Sequence, residues 1–148
     1  MAQNTSSWSS RYPISAAACS QDASTLKQLL YASGTGALTV SSDALNQLDE
    51  EGRSALHYAA WNGLVATAAV LLEAGADVNI QTPDRGATPL HFACGMGHPE
   101  VARLLLQHKA DRKAVDVDRW TPLVLARQNL FNHSAAVVAE LERLLEEQ

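Results

Sequence analysis

Two stretches of the chain repeat one another at an offset of 34 residues. When residues 86–111 are laid over residues 52–77, ten of the 26 positions are identical, whereas unrelated segments of average composition would share about two. The shared positions include His57 and His91, two glycines and a pair of adjacent leucines. The period predicts a repeat architecture, in which each short unit buries its apolar face against neighbouring units of the same kind.

Two weaker copies flank this pair. Thr88-Pro89-Leu90 recurs as Thr121-Pro122-Leu123, and that copy is longer before its second helix. At the front, residues 14–19 and 26–30 resemble the two helices of a unit, followed by a stretched connection over residues 34–48. We therefore predict a flexible polar tail and a single domain of four units. The predicted boundaries are 1–12 for the tail, 13–148 for the domain, and about 13–48, 49–81, 82–115 and 116–148 for its units.

Each unit carries the signals of two short helices. Thr88 can cap a helix, and Pro89 fits the first helical position, where no N–H is needed. Gly97 is placed to end that helix in the left-handed conformation. Pro99 and Glu100 then begin a second helix with one apolar and one polar face. The pattern predicts helix–turn–helix units that are stable only when stacked.

The order Gly-x-Thr-Pro-Leu-His-x-Ala, a following Gly, a Leu-Leu-Leu helix and Gly-Ala-Asp-Val-Asn resembles the ankyrin repeat family. Residues 86–111 match best, residues 49–81 nearly as well, residues 116–145 at their start, and residues 13–33 loosely. The resemblance implies an all-α solenoid of about four stacked units, with divergent units as caps at both ends. It also implies β-hairpin-like loops that project beside the first helices and form a concave groove. The function that it implies is non-catalytic recognition of a partner protein, as an interaction module or adaptor.

The resemblance also implies which residues contact the partner, namely the loop tips and the outer residues of each first helix. Tryptophan and arginine are enriched at binding hot spots, and methionine adapts to irregular partners. Tyr58 and Phe92 recur at one position, and we assign them to the space between units instead. The implied contact residues are Glu50, Glu51, Arg53, Trp61 and Asn62, then Asp84, Arg85, Ala87, Gly95 and Met96, and finally Val117, Asp118, Arg119, Trp120, Gln128 and Asn129.

Two other functions stay open at this stage. Within the same fold, the chain could be a dedicated inhibitory or assembly-chaperone subunit of one enzyme or complex. From another class, His91, Cys94 and His98 could serve a small metal-binding or hydrolytic protein. A structural zinc site needs four ligands, however, and the repeat accounts for each of these three residues separately. A histidine beside Ser54 or Thr88 recurs once per unit, which indicates architecture, since a catalytic site is normally single. We expect no enzyme activity and no cofactor.

Composition narrows the partners further. Eleven Lys and Arg against sixteen Asp and Glu give a formal charge of −5, which disfavours nucleic acid as a partner. No apolar run is long enough to span a membrane, and the first residues lack the pattern of a secretory signal. Two lone cysteines, Cys19 and Cys94, do not form a disulfide framework. We expect an intracellular monomer, in the cytoplasm or alternatively the nucleus, that binds a protein and neither nucleic acid nor membrane.

Several positions depart from the family pattern. Lys109, Arg119 and Leu130 stand where glycines are expected, and Val124 replaces the recurrent histidine. A left-handed backbone at a residue other than glycine costs on the order of 1 kcal/mol, so we expect local distortion in the last unit. Separately, Asn79 lies in a spacing that resembles the asparagine-hydroxylation pattern of some ankyrin proteins, but a role as a turn former at the repeat junction accounts for it better.

Overall fold

The computed structural model describes residues 5–128 and 133–147, and helices account for most of that part of the chain. Within it, the residues form no sheet, and an isolated antiparallel bridge joins Tyr31 and Leu38. The helices are α1 Thr5–Arg11, α2 Pro13–Cys19, α3 Ala23–Leu30, α4 Ser42–Leu45, α5 Ala55–Asn62, α6 Val65–Glu73, α7 Pro89–Met96, α8 Pro99–Gln107, α9 Pro122–Gln128 and α10 Ala135–Glu146.

Eight of these helices form two parallel rows. The inner row is α2, α5, α7 and α9, and the outer row is α3, α6, α8 and α10, with each helix packed on the next one in its row. Each inner helix also packs on the outer helix that follows it in sequence. The all-α solenoid expected from the repeat is therefore confirmed. One helix pair lies in each predicted unit, and the unit boundaries themselves stay a prediction.

Small residues let the inner helices approach one another closely. Ala59, Ala93 and Ala126 occupy equivalent positions of α5, α7 and α9, and all three are fully buried. Leu56 and Leu90, three residues earlier, are buried beside them. Since each inner helix has only seven or eight residues, this burial is available only between neighbours, and the stack supplies the stability that a single pair lacks.

A buried histidine ties each central inner helix to the loop of the next unit. Nδ1 of His57 accepts the N–H of Ser54 (3.1 Å), and its Nε2 donates to the carbonyl of Ala87 (3.1 Å). His91 repeats this arrangement with Thr88 (3.1 Å) and the carbonyl of Trp120 (3.0 Å). Burial lowers the pKa of His57 to about 4 and lowers that of His91 as well. The recurrent histidine of the repeat therefore bonds the loop backbone of the next unit.

Three tight turns project beside the inner row, at residues 49–53, 82–87 and 116–120. Each is closed by a backbone hydrogen bond, such as the one from Thr82 N–H to Ala87 C=O (3.0 Å). The second and third turns are joined, because the Val117 N–H donates to the carbonyl of Arg85 (2.9 Å). These turns are the loops that the family resemblance implies.

Two of the residues that replace a glycine of the family pattern do adopt the left-handed conformation. Lys109 has a φ of 66° and Arg119 a φ of 64°. Gln21, at the end of α2, has a φ of 62° where α5 has Gly63, and the sequence analysis did not anticipate this third case. Leu130 lies outside the described residues.

The described part of the expected polar tail is helical. Residues 5–11 form α1, which packs on α2. The Trp8 ring lies edge-on to Tyr58 of α5, with 6.1 Å between ring centroids, and Arg11 forms an ion pair with Glu50. Residues 5–11 are thus helical and contact the rest of the chain through Trp8 and Arg11, whereas the division into a flexible tail and a domain stays a prediction.

The last helix presents its charges outward and its apolar residues inward. Val138, Leu141, Leu144 and Leu145 of α10 are buried, while its glutamates pair with arginines of neighbouring helices. Arg127 of α9 contacts Glu142 (2.7 Å) and Glu146 (3.1 Å), and Arg103 of α8 contacts Glu140. The polar outer surface lets α10 end the described stack.

Candidate protein-binding surface

An open cleft of about 230 Å³ lies between the inner helices and the projecting turns. We call it the inner cleft. Its walls come from α5, α7 and α9 and from the turns at 82–87 and 116–120. The lining residues are Trp61, Arg85, Ala87, His91, Phe92, Gly95, Met96, Asp116 and Leu125.

The inner cleft brings together several of the contact residues that the resemblance implies. Trp61, Arg85 and Met96 line it, with Ala87 and Gly95 between them. Trp61 and Met96 are large apolar side chains that are each 38% exposed. Tryptophan, arginine and methionine around one concavity give it the composition of a protein-binding surface.

Arg53 holds the aromatic wall of the cleft in place. Its guanidinium carbon lies 5.1 Å from the ring centre of Trp61 and 5.9 Å from that of Phe92. Glu51 pairs with the same guanidinium at 3.0 Å. The rings of Trp61 and Phe92 are themselves 5.5 Å apart in a tilted arrangement. A cation over neighbouring aromatic rings is favourable, so this cluster forms without a partner.

The turns contribute charges of both signs beside the cleft. Arg85 pairs across successive turns with Asp118, at 3.2 Å between Nη2 and Oδ2. The Asp84 carboxylate accepts the Arg85 N–H (2.8 Å), and a hydrogen bond from the Thr82 side chain lowers its pKa. Arg119 lies at the tip of the third turn with a left-handed backbone. Since the charges are mixed, the rim favours no single sign of partner.

Trp120 lies near the cleft without lining it. Its carbonyl accepts from His91, its N–H donates to Asp116 (2.8 Å), and its side chain is 36% exposed. Val117, on the same turn, is 63% exposed. The third turn therefore adds apolar surface at the rim.

The other implied contact residues lie apart from the cleft. Glu50 is engaged by Arg11, and Asn62 donates to the Tyr58 carbonyl of its own helix (3.0 Å). Gln128 is exposed at the end of α9. Asn129 lies outside the described residues.

Four lining residues are not among the implied contacts, namely His91, Phe92, Asp116 and Leu125. Phe92 lies one helical turn before Met96 on α7, so the two residues share a face. That spacing could have identified Phe92, which was assigned to the space between units. Asp116 and Leu125 carry no comparable signal, because each is recognisable only through its place beside the cleft.

The residues of the metal or hydrolase hypothesis do not converge. Both ring nitrogens of His91 contact backbone groups, Nε2 of His98 donates to the Trp61 carbonyl (3.0 Å), and Cys94 is buried, which raises the pKa of its thiol. Across residues 5–128 and 133–147, no group of three His, Cys, Asp or Glu side chains is arranged to hold a metal ion. Ser54 and Thr88 serve as helix caps within buried capping boxes, which leaves no access for a substrate.

Stacked helix pairs with projecting turns define a helical repeat protein. A family model of three ankyrin repeats matches residues 2–82, and a model of many ankyrin repeats matches residues 71–126. The chain belongs to the ankyrin-repeat family. No curated protein matches its sequence.

Membership of this family places the chain in a broad functional class. Ankyrin repeats generally serve as protein–protein interaction modules, and they are typically non-catalytic. The first family match also includes α1, so the segment expected to be a tail lies within the matched region. In the part of the chain that the structure describes, no helix has the length and apolarity to cross a membrane.

Proposed function

We propose that this protein binds a partner protein through the surface formed by the inner cleft and the three projecting turns, without catalysing a reaction. The observation that carries the proposal is the convergence of Trp61, Arg85 and Met96 on one open cleft. Protein interfaces concentrate their energy in a few such residues at the centre of a patch. We call the cleft and the turns together the binding face.

Preorganisation supports the proposal. The turns are held by hydrogen bonds from His57 and His91 to their carbonyls, and the ring of Trp61 is fixed between Arg53 and Phe92. A partner that docks on this face would order few groups, so less of the gross interaction energy is lost as entropy.

The contact residues fall into a centre and a rim. Trp61, Arg85 and Met96 form the proposed centre. The proposed rim consists of Glu50, Glu51, Arg53, Asn62, Asp84, Asp118, Arg119, Trp120 and Gln128, and the further implied contact Asn129 lies outside the described residues. Rim charges chiefly change the rate and salt dependence of association, whereas substitutions at the centre reduce affinity most.

Affinity capture tests the proposal. The wild-type chain and the Trp61→Ala/Trp120→Ala variant would be compared, with Val65→Ala as a control, since Val65 is 41% exposed on the outer helix α6. We expect the tryptophan variant to lose its protein partners and the control to retain them. If every partner is retained by a double variant that melts like the wild type, the binding face is wrong.

The same capture distinguishes the two forms of the proposal. An adaptor is expected to capture several partners. One stoichiometric partner would instead indicate a dedicated inhibitory or assembly-chaperone subunit. We propose that the chain acts as a monomer, and its two free thiols, Cys19 and Cys94, support a reducing intracellular compartment such as the cytoplasm.

A further inference from the structure

Of the three successive inner helices α5, α7 and α9, the first two carry a ring at equivalent positions, and the inner cleft lies beside the third. Tyr58 on α5 is contacted by the ring of Trp8, and Phe92 on α7 by the ring of Trp61. The next equivalent residue is Leu125 on α9. The residue of α7 that corresponds to Trp61 is Gly95, which supplies no side chain. Among the described residues, a cleft therefore remains between α7 and α9, at the place that the Trp61 ring takes between α5 and α7.

A carboxylate beside the cleft has one unused acceptor. Asp49 and Asp116 are equivalent residues of the first and third turns. Oδ1 of Asp49 accepts two backbone N–H groups of its turn at 3.0 Å each, and Oδ1 of Asp116 does the same at 3.0 and 2.8 Å. Oδ2 of Asp49 also accepts the hydroxyl of Tyr58. Leu125 stands in the place of Tyr58, and Oδ2 of Asp116 receives no hydrogen bond from residues 5–128 or 133–147.

Asp116 is positioned to accept a donor from outside the chain. It is 8% exposed and lines the inner cleft. A carboxylate that is mostly removed from water gains more from a charge-assisted hydrogen bond than an exposed one does. The chain itself shows which donor suits this carboxylate geometry, because the equivalent Asp49 is met by a phenol.

The size and walls of the cleft suit a single aromatic side chain. A volume of about 230 Å³ is below the roughly 300 Å³ at which small-molecule pockets begin. Phe92, Met96 and Leu125 offer apolar and polarisable surface for a ring, and Arg85 supplies a cation at the edge. The Tyr58 ring also has a cation near it, since the guanidinium carbon of Arg53 lies 5.9 Å from its centre.

We propose that the inner cleft receives one tyrosine of the partner protein, with its ring against Phe92, Met96 and Leu125 and its hydroxyl donating to Oδ2 of Asp116. This inference rests on the proposed function and specifies the partner's anchor. Phenylalanine would fill the same space but leave the carboxylate oxygen without a donor. Tyrosine is also a residue in which interfaces are enriched, because it joins apolar area to a polar tip.

Selection from a displayed library of random linear peptides tests this anchor. We expect the peptides retained by the wild-type chain to share a tyrosine, and replacing that tyrosine by phenylalanine to weaken binding about tenfold or more. Asp116→Asn keeps an oxygen for the two backbone N–H groups and replaces the other oxygen by a donor. We therefore expect Asp116→Asn to remove the preference for tyrosine over phenylalanine.

Two variants that fill the cleft provide independent checks. Gly95→Trp places in α7 the residue that α5 has at the equivalent position, and Gly95→Ala is its matched control with the cleft left open. Leu125→Tyr supplies the missing ring and hydroxyl from within the chain, as Tyr58 does on α5. We expect Gly95→Trp and Leu125→Tyr to abolish binding of the tyrosine peptides and Gly95→Ala to retain it, with thermal melting showing which variants fold.

The outcomes separate this inference from the proposed function. Peptides that are lost in Trp61→Ala/Trp120→Ala but carry tryptophan, phenylalanine or no aromatic residue would overturn the tyrosine anchor and leave the binding face standing. Tyrosine peptides that bind Leu125→Tyr as well as they bind the wild type would also overturn it. If none of the selected peptides depends on the tryptophans or on the cleft, both proposals fail.

Discussion

The imidazole of His98 fills the space beside the left-handed backbone of Gly63. Gly63 has a φ of 70°, and a Cβ on it would lie 2.6 Å from Nδ1 of His98. Nε2 of the same ring donates to the carbonyl of Trp61. Gly97 and His133 repeat the contact at 2.6 Å, so the end of each central inner helix is closed by a histidine of the next unit.

This contact predicts that Gly63→Ala is more destabilising than an alanine at an open glycine. Gly34 has a φ of 94° with no atom within 4 Å of its Cβ position, which makes Gly34→Ala a control for backbone strain alone. We expect Gly63→Ala to cost about 1–3 kcal/mol more than Gly34→Ala, measured by urea unfolding. Adding His98→Ala should recover part of that difference, and equal costs for the two single variants would refute the steric role of His98.

The left-handed lysine predicts a stabilising substitution. Lys109 has a φ of 66°, so Lys109→Gly removes backbone strain of about 1–2 kcal/mol and adds some entropy to the unfolded chain. We expect a net gain of up to about 1 kcal/mol in the free energy of unfolding. Lys113→Gly, at an exposed residue that is not left-handed, should instead lower stability. A loss of stability in Lys109→Gly would contradict the strain.

Substitution of the left-handed Arg119 is expected to affect fold stability and partner binding in different ways. Arg119 has a φ of 64° in the third turn, so Arg119→Gly should also stabilise the fold while it removes a proposed rim charge. We expect a higher melting temperature together with a changed dependence of partner binding on salt. An unchanged salt dependence would remove Arg119 from the rim.

Buried His57 predicts a loss of stability in acid. Burial lowers its folded-state pKa to about 4 from an ordinary value of 6.5, so the folded chain favours the neutral ring. The contribution is complete above about pH 6.5 and is lost as the pH falls towards 4, a change of roughly 3 kcal/mol in the free energy of unfolding. Unfolding by urea across this range would measure it.

Two variants isolate the contribution of His57. In His57→Val, which copies Val124 of the last unit, the slope between pH 4 and 6.5 should be shallower even though overall stability is lower. His108→Gln, which removes an exposed imidazole, serves as the matched control for the loss of a histidine. If His57→Val keeps the wild-type slope, the acid sensitivity comes from other groups.

The two cysteines should differ in reactivity. Cys94 is fully buried and burial raises the pKa of its thiol, whereas Cys19 is half-buried and has its pKa raised by partial burial and by Asp49. We expect a thiol reagent to label Cys19 first and Cys94 only when the fold opens, because the thiolate is the reactive form. Labelling of the Cys19→Ser and Cys94→Ser variants would show which thiol reacts quickly and which slowly. Equal labelling rates for the two thiols in the native chain would contradict the burial of Cys94.

Much of the fold was predictable because its signals are local and recur. Thr88, Pro89 and Gly97 mark the start and end of one helix by their backbone chemistry, and the same marks one period earlier or later predict the stack. Helix α1 was not predictable in this way, since it depends on contacts with residues distant in sequence, such as Trp8 with Tyr58 and Arg11 with Glu50.

The binding face was predictable only in part. Trp61 and Met96 lie at positions that the family pattern marks, and both line the inner cleft. The cleft itself arises where Gly95 lacks a side chain and where Leu125 lacks the hydroxyl of Tyr58. Such features depend on what neighbouring helices place beside them, and a motif does not record them.

The bonds that His57 and His91 make to the carbonyls of Ala87 and Trp120 have a consequence for how this surface can evolve. A carbonyl oxygen is the same whatever side chain its residue carries, so the turns keep their shape while the residues displayed on them change. New specificities could therefore arise by exchanging Trp120 or Arg85 without rebuilding the scaffold, and the same separation makes the chain a suitable starting point for engineered binders.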